Sequence, residues 1–350
     1  MAEVNITQAG PKDKEKWDAY VESHPDVSPY HLFAWKDTVE QAYGHKGYYL
    51  IAEKNNSVCG ILPAIHMKLP FLLNQLVSLP YCDIGDILAN NDETKKELLI
   101  SINSLADHLK CKSVEIRGQQ PEFDIAGLKQ STDINANKVR MLFDLPETAD
   151  ALWGSFRSKL RSQIRKAEKN GLVFSWGEEK ALDAFYKVFS QNMRDLGSPV
   201  HAQGLLKAVL QNYGDRAKIG LVYMQNKVVG VGLILSAANK ISIPWASTLR
   251  EFNRLGPNMI LYWNFLKYSV DHGFKQFDFG RSTPGEGTYK FKQQWGAAPK
   301  PLYWYNSLQS NNGNQASGSK KMAIVTGLWQ KLPVSAANFI GPNIRKYISL

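Results

Sequence analysis

Cysteine is scarce in this chain: three in 350 residues, Cys59, Cys82 and Cys111, with no Cys-x-x-Cys pair. An odd number at wide spacing argues against a disulfide framework or a cysteine zinc site and fits a reducing compartment. Each reads as a small buried apolar residue. Long hydrophobic runs are missing too. The longest, VVGVGLILSAA (228–238), is too short to span a bilayer and carries two glycines. The opening MAEVNITQAGPKDKEKW has no apolar signal-peptide core. The expectation is a cytoplasmic protein, with work at the inner face of the membrane left open. No His, Cys, Asp and Glu spacing suits a metal or a Ser-His-Asp triad, so no metal is expected.

Acidic residues are nearly missing from two segments. RSKLRSQIRKAEK (157–169) sets six basic residues against Glu168 alone, and Ser319–Leu350 holds five and no acid. Together they account for the whole net charge of +10. Localised positive charge suits a phosphate-bearing partner. It equally suits a solvated helix face and a basic tail. Arg161, Arg165 and Lys169 are four apart and share one helix face. Such a stripe can track phosphates of a tRNA, a nucleotide sugar or a polyprenyl diphosphate.

What is present is a repeat. YYLIAEKNNSVCGILPAIHM (48–67) reads as strand, polar turn, strand, and AKIGLVYMQNKVVGVGLILSA (217–237) reads the same way. With Gly60 placed on Gly230, the turn Asn55-Asn56-Ser57 falls on Gln225-Asn226-Lys227. Downstream, 93–118 and 258–281 each read as an amphipathic helix followed by a strand, with apolar residues three and four apart in the helix. The pattern is that of an α/β (α+β) chain built from a duplicated unit. The first copy is placed at 1–147, where Pro146 and an acidic stretch mark the join, and the second at 148–308. QSNNGNQASGSKK (309–321) reads as a flexible linker. Residues 322–350 read as a basic amphipathic tail, with Met322, Val325, Trp329 and Leu332 on one face. The tail either docks back on the protein or makes peripheral contact with an anionic membrane. Oligomeric state is left open.

Several stretches resemble one family. SKLRSQIRKAEKNG (158–171), DLGSPVHAQGLLK (195–207), LGPNMILYW (255–263), FDFGRSTPGEGTYKFKQQWG (277–296) and LWQKLPVSAANFIGPNIRK (328–346) are similar to FemAB-type proteins. The branch is the acetyltransferase-like one associated with exosortase (PEP-CTERM) systems. The resemblance implies two GNAT-like domains, each a mixed, mainly antiparallel sheet flanked by helices. It implies an acyl or aminoacyl transferase that modifies an amino group of a cell-envelope or exopolysaccharide precursor. An acyl-CoA-dependent N-acyltransferase and a non-catalytic precursor-binding module stand as alternatives. No cofactor is expected beyond the acyl donor, which stays open between aminoacyl-tRNA and acyl-CoA. A GNAT acetyl-CoA site would show Gln/Arg-x-x-Gly-x-Gly/Ala at a helix start; FNRLGPNM (252–259) stands there and departs from it.

Acyl transfer to an amine needs a neutral amine, a polarised carbonyl and a stabilised oxyanion. By the resemblance, Lys292 in YKFKQQWG matches the family's Phe-Lys position, where a lysine stabilises the reacting carbonyl. Glu286 is the second catalytic candidate, as acceptor of the ammonium's proton; pairing with Arg281 or Lys290 is its plainer reading. Arg281, just past a strand end, suits an anion bidentately. Tyr289 and Asp278 complete the substrate-binding candidates with Arg161, Arg165 and Lys169. Asp83, with Gly85, suits a cleft wall in copy one. His31 and His201 read as local structure.

Overall fold

Two turns rich in polar side chains set the pattern of the molecule. Strands Leu50–Lys54 and Ser57–Leu62 pair antiparallel around Asn55 and Asn56, whose φ angles are 52° and 62°. Asparagine tolerates that left-handed pair, and its twist matches the flanking strands. Strands Ala217–Met224 and Lys227–Ala237 form the second hairpin, with Gln225 at φ 55°. Each hairpin carries a bulge at the same place. The register slips between Ala52 and Glu53, and between Val222 and Tyr223, leaving Cys59 and Val229 as the extra residues. These positions correspond when Gly60 lies on Gly230, so the duplication extends to a backbone irregularity.

The computed structural model describes residues 3–121, 129–130, 138–306 and 325–350. The expected linker, 309–321, and Met322 lie outside the described residues. In the second copy one seven-stranded sheet runs Leu172–Gly177, Ala217–Met224, Lys227–Ala237, Lys240–Thr248, Gln276–Ser282, Val139–Asp144, Ala298–Pro301. In the first copy the equivalent sheet is split in two, because Pro63 and Ala64 interrupt the strand that is continuous in copy two. A proline cannot donate to a ladder. The four-stranded part ends on Leu88–Ala89, and the six-stranded part holds Ile65–Leu69, Leu73–Val77 and Ser113–Gly118. Helices Asp92–His108 and Pro257–Asp271 stand at matching places, as their apolar spacing predicts.

The join at 147/148 does not divide the sheets. Val139–Asp144, from the end of the first copy, pairs antiparallel with Gln276–Ser282. Tyr303–Asn306, from the end of the second, pairs antiparallel with Ser113–Gly118. Each copy would otherwise leave an open edge, and the other copy's last strand covers it. The halves also share a core. Trp17, Phe33, Trp35 and Tyr49 belong to one buried cluster with Phe185, Leu205, Val231 and Trp245. Trp35 lies over Trp245 with ring centroids 6.4 Å apart.

The described part of the tail docks back. Helix Val334–Arg345 packs on helix Leu182–Asp195. Gly341 lets the tail helix sit close to the loop after Leu182–Asp195, since a Cβ there would sit 3.1 Å from the Val200 nitrogen. Arg194 donates to the Leu332 carbonyl at 2.9 Å, and Asn338 to Ser190 Oγ at 3.2 Å. The last residues then cross to the first copy. The Lys346 carbonyl accepts from Tyr81 Oη at 2.5 Å and faces His45 Nε2 at 2.7 Å, and the Ser349 carbonyl accepts from the Tyr81 N–H at 2.6 Å.

Candidate active site

Strands Lys240–Thr248 and Gln276–Ser282 are parallel and paired over three residues only, 240–242 with 276–278. Beyond that they part. Ile243, Pro244 and Trp245 on one strand, with Phe279, Gly280 and Arg281 on the other, line a cavity of about 280 Å³. Tyr30, Tyr81 and Asp83 close it from the first copy, and Arg345 and Leu350 from the tail. The cleft therefore lies where both halves and the tail meet, a usual place for a small-molecule site.

Lys292 reaches it from helix Gly287–Gln294. The helix buries Trp295 completely and half-buries Phe291 beside it, which fixes Lys292 facing the cleft. Lys292 is 9% exposed. Its Nζ donates to the Arg281 carbonyl at 2.7 Å. Burial pushes its pKa down to about 8, with Asp83 and Asp278 opposing and Arg281 adding to the shift. A buried ammonium meets less screening than one in water. Gly280 sits beside it at φ 73°, where a Cβ would lie 3.5 Å from Asp83 Oδ2 and 4.0 Å from Lys292 Nζ. The left-handed backbone calls for glycine there, while the space would take a Cβ at ordinary contact distance.

Arg281 also lines the cavity, already engaged. Its N–H donates to Asp83 Oδ2 at 3.0 Å, its Nε lies 3.3 Å from Asp83 Oδ1, and its guanidinium lies over Trp304 at 5.7 Å. An anion at Arg281 would share it with Asp83. The other expected residues stand elsewhere. Glu286 is exposed at the N-cap of helix Gly287–Gln294 and does not line the cleft. The turn at Gly285 carries it outward, and Asp83 supplies the side-chain carboxylate in the cavity instead. Asp278 reaches neither cleft nor solvent: it is 6% exposed, pairs with Arg140 Nε at 2.8 Å and accepts the Gly280 N–H at 2.8 Å. Tyr289 packs beside the core cluster of the second copy.

The basic stripe does not enter the cleft either. Arg161, Arg165 and Lys169 lie on helix Ser158–Lys169, and Arg165 stacks over Trp153 at 5.3 Å. Spacing of four identifies one face of a helix but not the surface it meets. The start of that helix, Arg157 and Lys159, does line a larger concavity of about 520 Å³ with Lys290, Gln293 and Trp295, which belong to the Lys292 helix or border it.

Two histidines separate. His31 is local structure, as its sequence context predicts: fully buried, Nδ1 near the Ser28 N–H and Oγ, Nε2 near the Asp86 carbonyl. His201 also has a structural bond, Nδ1 to the Tyr43 hydroxyl at 2.8 Å, but it lines the cavity as well, at 2% exposure. A lone histidine in a Gly-Ser-Pro loop carries no spacing signal that would have revealed it. Cys82 lines the cavity too. Burial pushes its thiol pKa up, and Sγ is turned to the Leu79 and Ile84 carbonyls, so it is no nucleophile. Among the described residues no group of His, Cys, Asp and Glu is placed to hold a metal.

Comparison with known proteins places this arrangement. A family model described as an acetyltransferase (GNAT) domain matches residues 154–293. The chain is 21% identical to a lipid II:glycine glycyltransferase of Staphylococcus epidermidis, over 85% of this chain and 90% of the relative. The crystal structure of FemX superposes with a TM-score of 0.71 at 16% identity, covering 87% of this chain and 97% of FemX. The chain has the tandem GNAT fold and resembles the FemAB-type transferases over most of its length. A tandem GNAT protein from the clavulanic acid biosynthesis pathway shares the fold at a TM-score of 0.52 and 9% identity, over 88% of this chain and all (100%) of the other.

Proposed function

We propose that the protein transfers an activated acyl or aminoacyl group onto an amino group of a cell-envelope precursor. The observation that carries this reading is the buried Lys292 ammonium, set against apolar walls in the cleft where two strands diverge. A carbonyl entering between those strands meets Lys292. The attacking nitrogen bonds to the acyl carbon, and negative charge develops on the carbonyl oxygen beside Nζ. As the bond to the donor oxygen breaks, the proton lost by the amine passes through Asp83 to the departing oxygen.

The donor we favour is an aminoacyl ester. An acyl-CoA pyrophosphate would want free backbone N–H groups at the start of helix Pro257–Asp271. There Pro257 has none, the Gly256 N–H is taken by Asn253 O, and the Met259 N–H by Gly256 O. Gly256 is also covered: a Cβ on it would sit 3.2 Å from Ala167 Cβ. The basic helix and the concavity at Arg157, Lys159 and Lys290 are the surfaces we assign to phosphates of donor or precursor, with tRNA as the donor that fits.

The acceptor class follows a relative named for lipid II, with an exopolysaccharide precursor as the other envelope candidate. No helix among the described residues is long and apolar enough to cross a membrane. Contact would be peripheral, through the tail, where Leu328 and Phe339 are exposed beside Lys331. The test is a mass-spectrometric screen of aminoacyl esters and acyl-CoA donors against amine-bearing envelope precursors. Transfer from aminoacyl esters supports the reading. Transfer from CoA thioesters alone, with a thermal shift by CoA, supports the acyl-CoA alternative instead.

A further inference from the structure

His201 sits in the loop between helices Leu182–Asp195 and Gln203–Tyr213. Its Nδ1 lies 2.8 Å from the hydroxyl of Tyr43, the last residue of helix Phe33–Tyr43 in the first copy. That hydroxyl accepts the Ala202 N–H at 3.1 Å. Its own proton is therefore free to go to Nδ1, and burial keeps the phenol protonated by pushing its pKa up. An imidazole that accepts at Nδ1 carries its proton at Nε2. Among the described residues Nε2 has no hydrogen-bond partner.

Nε2 lies across the ring from the nitrogen that meets Tyr43, and it is almost fully buried. Tyr43, on the Nδ1 side, does not line the cavity, whereas His201 does. Tyr81 meets the ring edge-on at 5.1 Å and Trp245 at 5.9 Å, so the imidazole is held in one orientation. Burial, aided by the Arg345 charge, holds it neutral, well below its ordinary pKa. His31 shows the contrast: a histidine used for structure has both ring nitrogens engaged. Buried polar groups are almost always partnered, and an unpartnered one on a residue that lines a cavity points to a bound ligand atom or water.

We propose that His201 is a second hydrogen-bond donor of the acyl-transfer cleft, its Nε2–H aimed at a carbonyl oxygen of the bound substrates. The inference rests on the transfer reading above. The oxygen belongs either to the acyl group in transfer or to the acceptor, and kinetics tell these apart. In the first case His201→Phe lowers kcat by about 10²-fold, as loss of one oxyanion donor does. In the second it raises KM for the acceptor about tenfold with kcat nearly unchanged. In both, Tm is kept or rises, His201→Gln restores part of the loss through its amide N–H, and Tyr43→Phe causes a smaller loss of the same kind. Long-range ¹⁵N–¹H spectra of histidine-labelled protein read the tautomer without turnover, and the Nε2–H form is expected at pH 6 to 8. An Nδ1–H form, an imidazolium, or a folded His201→Phe protein with kcat and KM within about twofold of wild type overturns the proposal. If wild type itself transfers from no donor, the transfer reading falls and the catalytic role of His201 falls with it. If wild type is active and His201→Phe unaffected, only the role of His201 falls.

Discussion

At the scale of residues the site is a set of groups held against their own preferences. Lys292 is the clearest. Its ordinary pKa of 10.5 is lowered to about 8 by burial. Below pH 8 the ammonium is charged in both folded and unfolded chains, and the folded state bears the full desolvation cost. Between 8 and 10.5 the unfolded chain holds more protons, so stability rises with pH across that window. The cost is at most about 3 kcal/mol. Lys292→Met removes it and leaves the Arg281 carbonyl without its donor, which gives back about 1 kcal/mol or more. The variant should therefore be more stable than wild type by about 1–2 kcal/mol at pH 7, a margin that closes by pH 10.5. Urea titrations at several pH values measure it. A variant less stable than wild type at pH 7 would mean that Lys292 is held for structure.

The elements explain which of these residues could be read in advance. Lys292 was legible through the family resemblance, but the residue pattern around it did not say that helix Gly287–Gln294 would carry it. Glu286 and Asp278 were not legible. A side chain one residue outside a helix, or alternating along a strand, has a direction only when the neighbouring element is known, and Asp278's neighbour is Arg140 from the far end of the first copy. Arg345 was equally hidden, because its burial depends on how the tail helix crosses helix Leu182–Asp195. Gly341 sets how closely the tail helix sits on the following loop at Val200. Gly341→Val should destabilise by about 1–3 kcal/mol through overpacking and, by moving Arg345, widen the cleft. Denaturant midpoints and protection of the Tyr81 amide from exchange check this. Unchanged stability with a protected Tyr81 amide would show that the tail tolerates a looser fit there.

At the scale of the whole molecule the duplication was legible from hairpins and helix–strand units, whereas the matching bulges at Cys59 and Val229 were not. Nor was the exchange of strands. Val139–Asp144 and Tyr303–Asn306 are ordinary short strand segments, and nothing local says which sheet they complete. Because they complete each other's sheets and the cores merge at Trp35 and Trp245, the halves form one cooperative unit. Residues 1–147 and 148–350 expressed separately should each lack a closing strand and fail to fold, while the full chain unfolds in one transition. Circular dichroism and amide dispersion of the two fragments decide it. A fragment with native-like dispersion would restore the simple boundary at 147/148.

The cleft exists only in that assembled chain, and the central claim about it is that the Lys292 ammonium stabilises the reacting carbonyl. The most direct measurement is single-turnover acyl transfer by wild type and Lys292→Met, followed from pH 6.5 to 9.5 at matched folded fraction. The account predicts a loss of about 10²–10³-fold in the variant, and a wild-type rate that declines above pH of about 8 as the ammonium deprotonates. A folded Lys292→Met protein that transfers at the wild-type rate would contradict it.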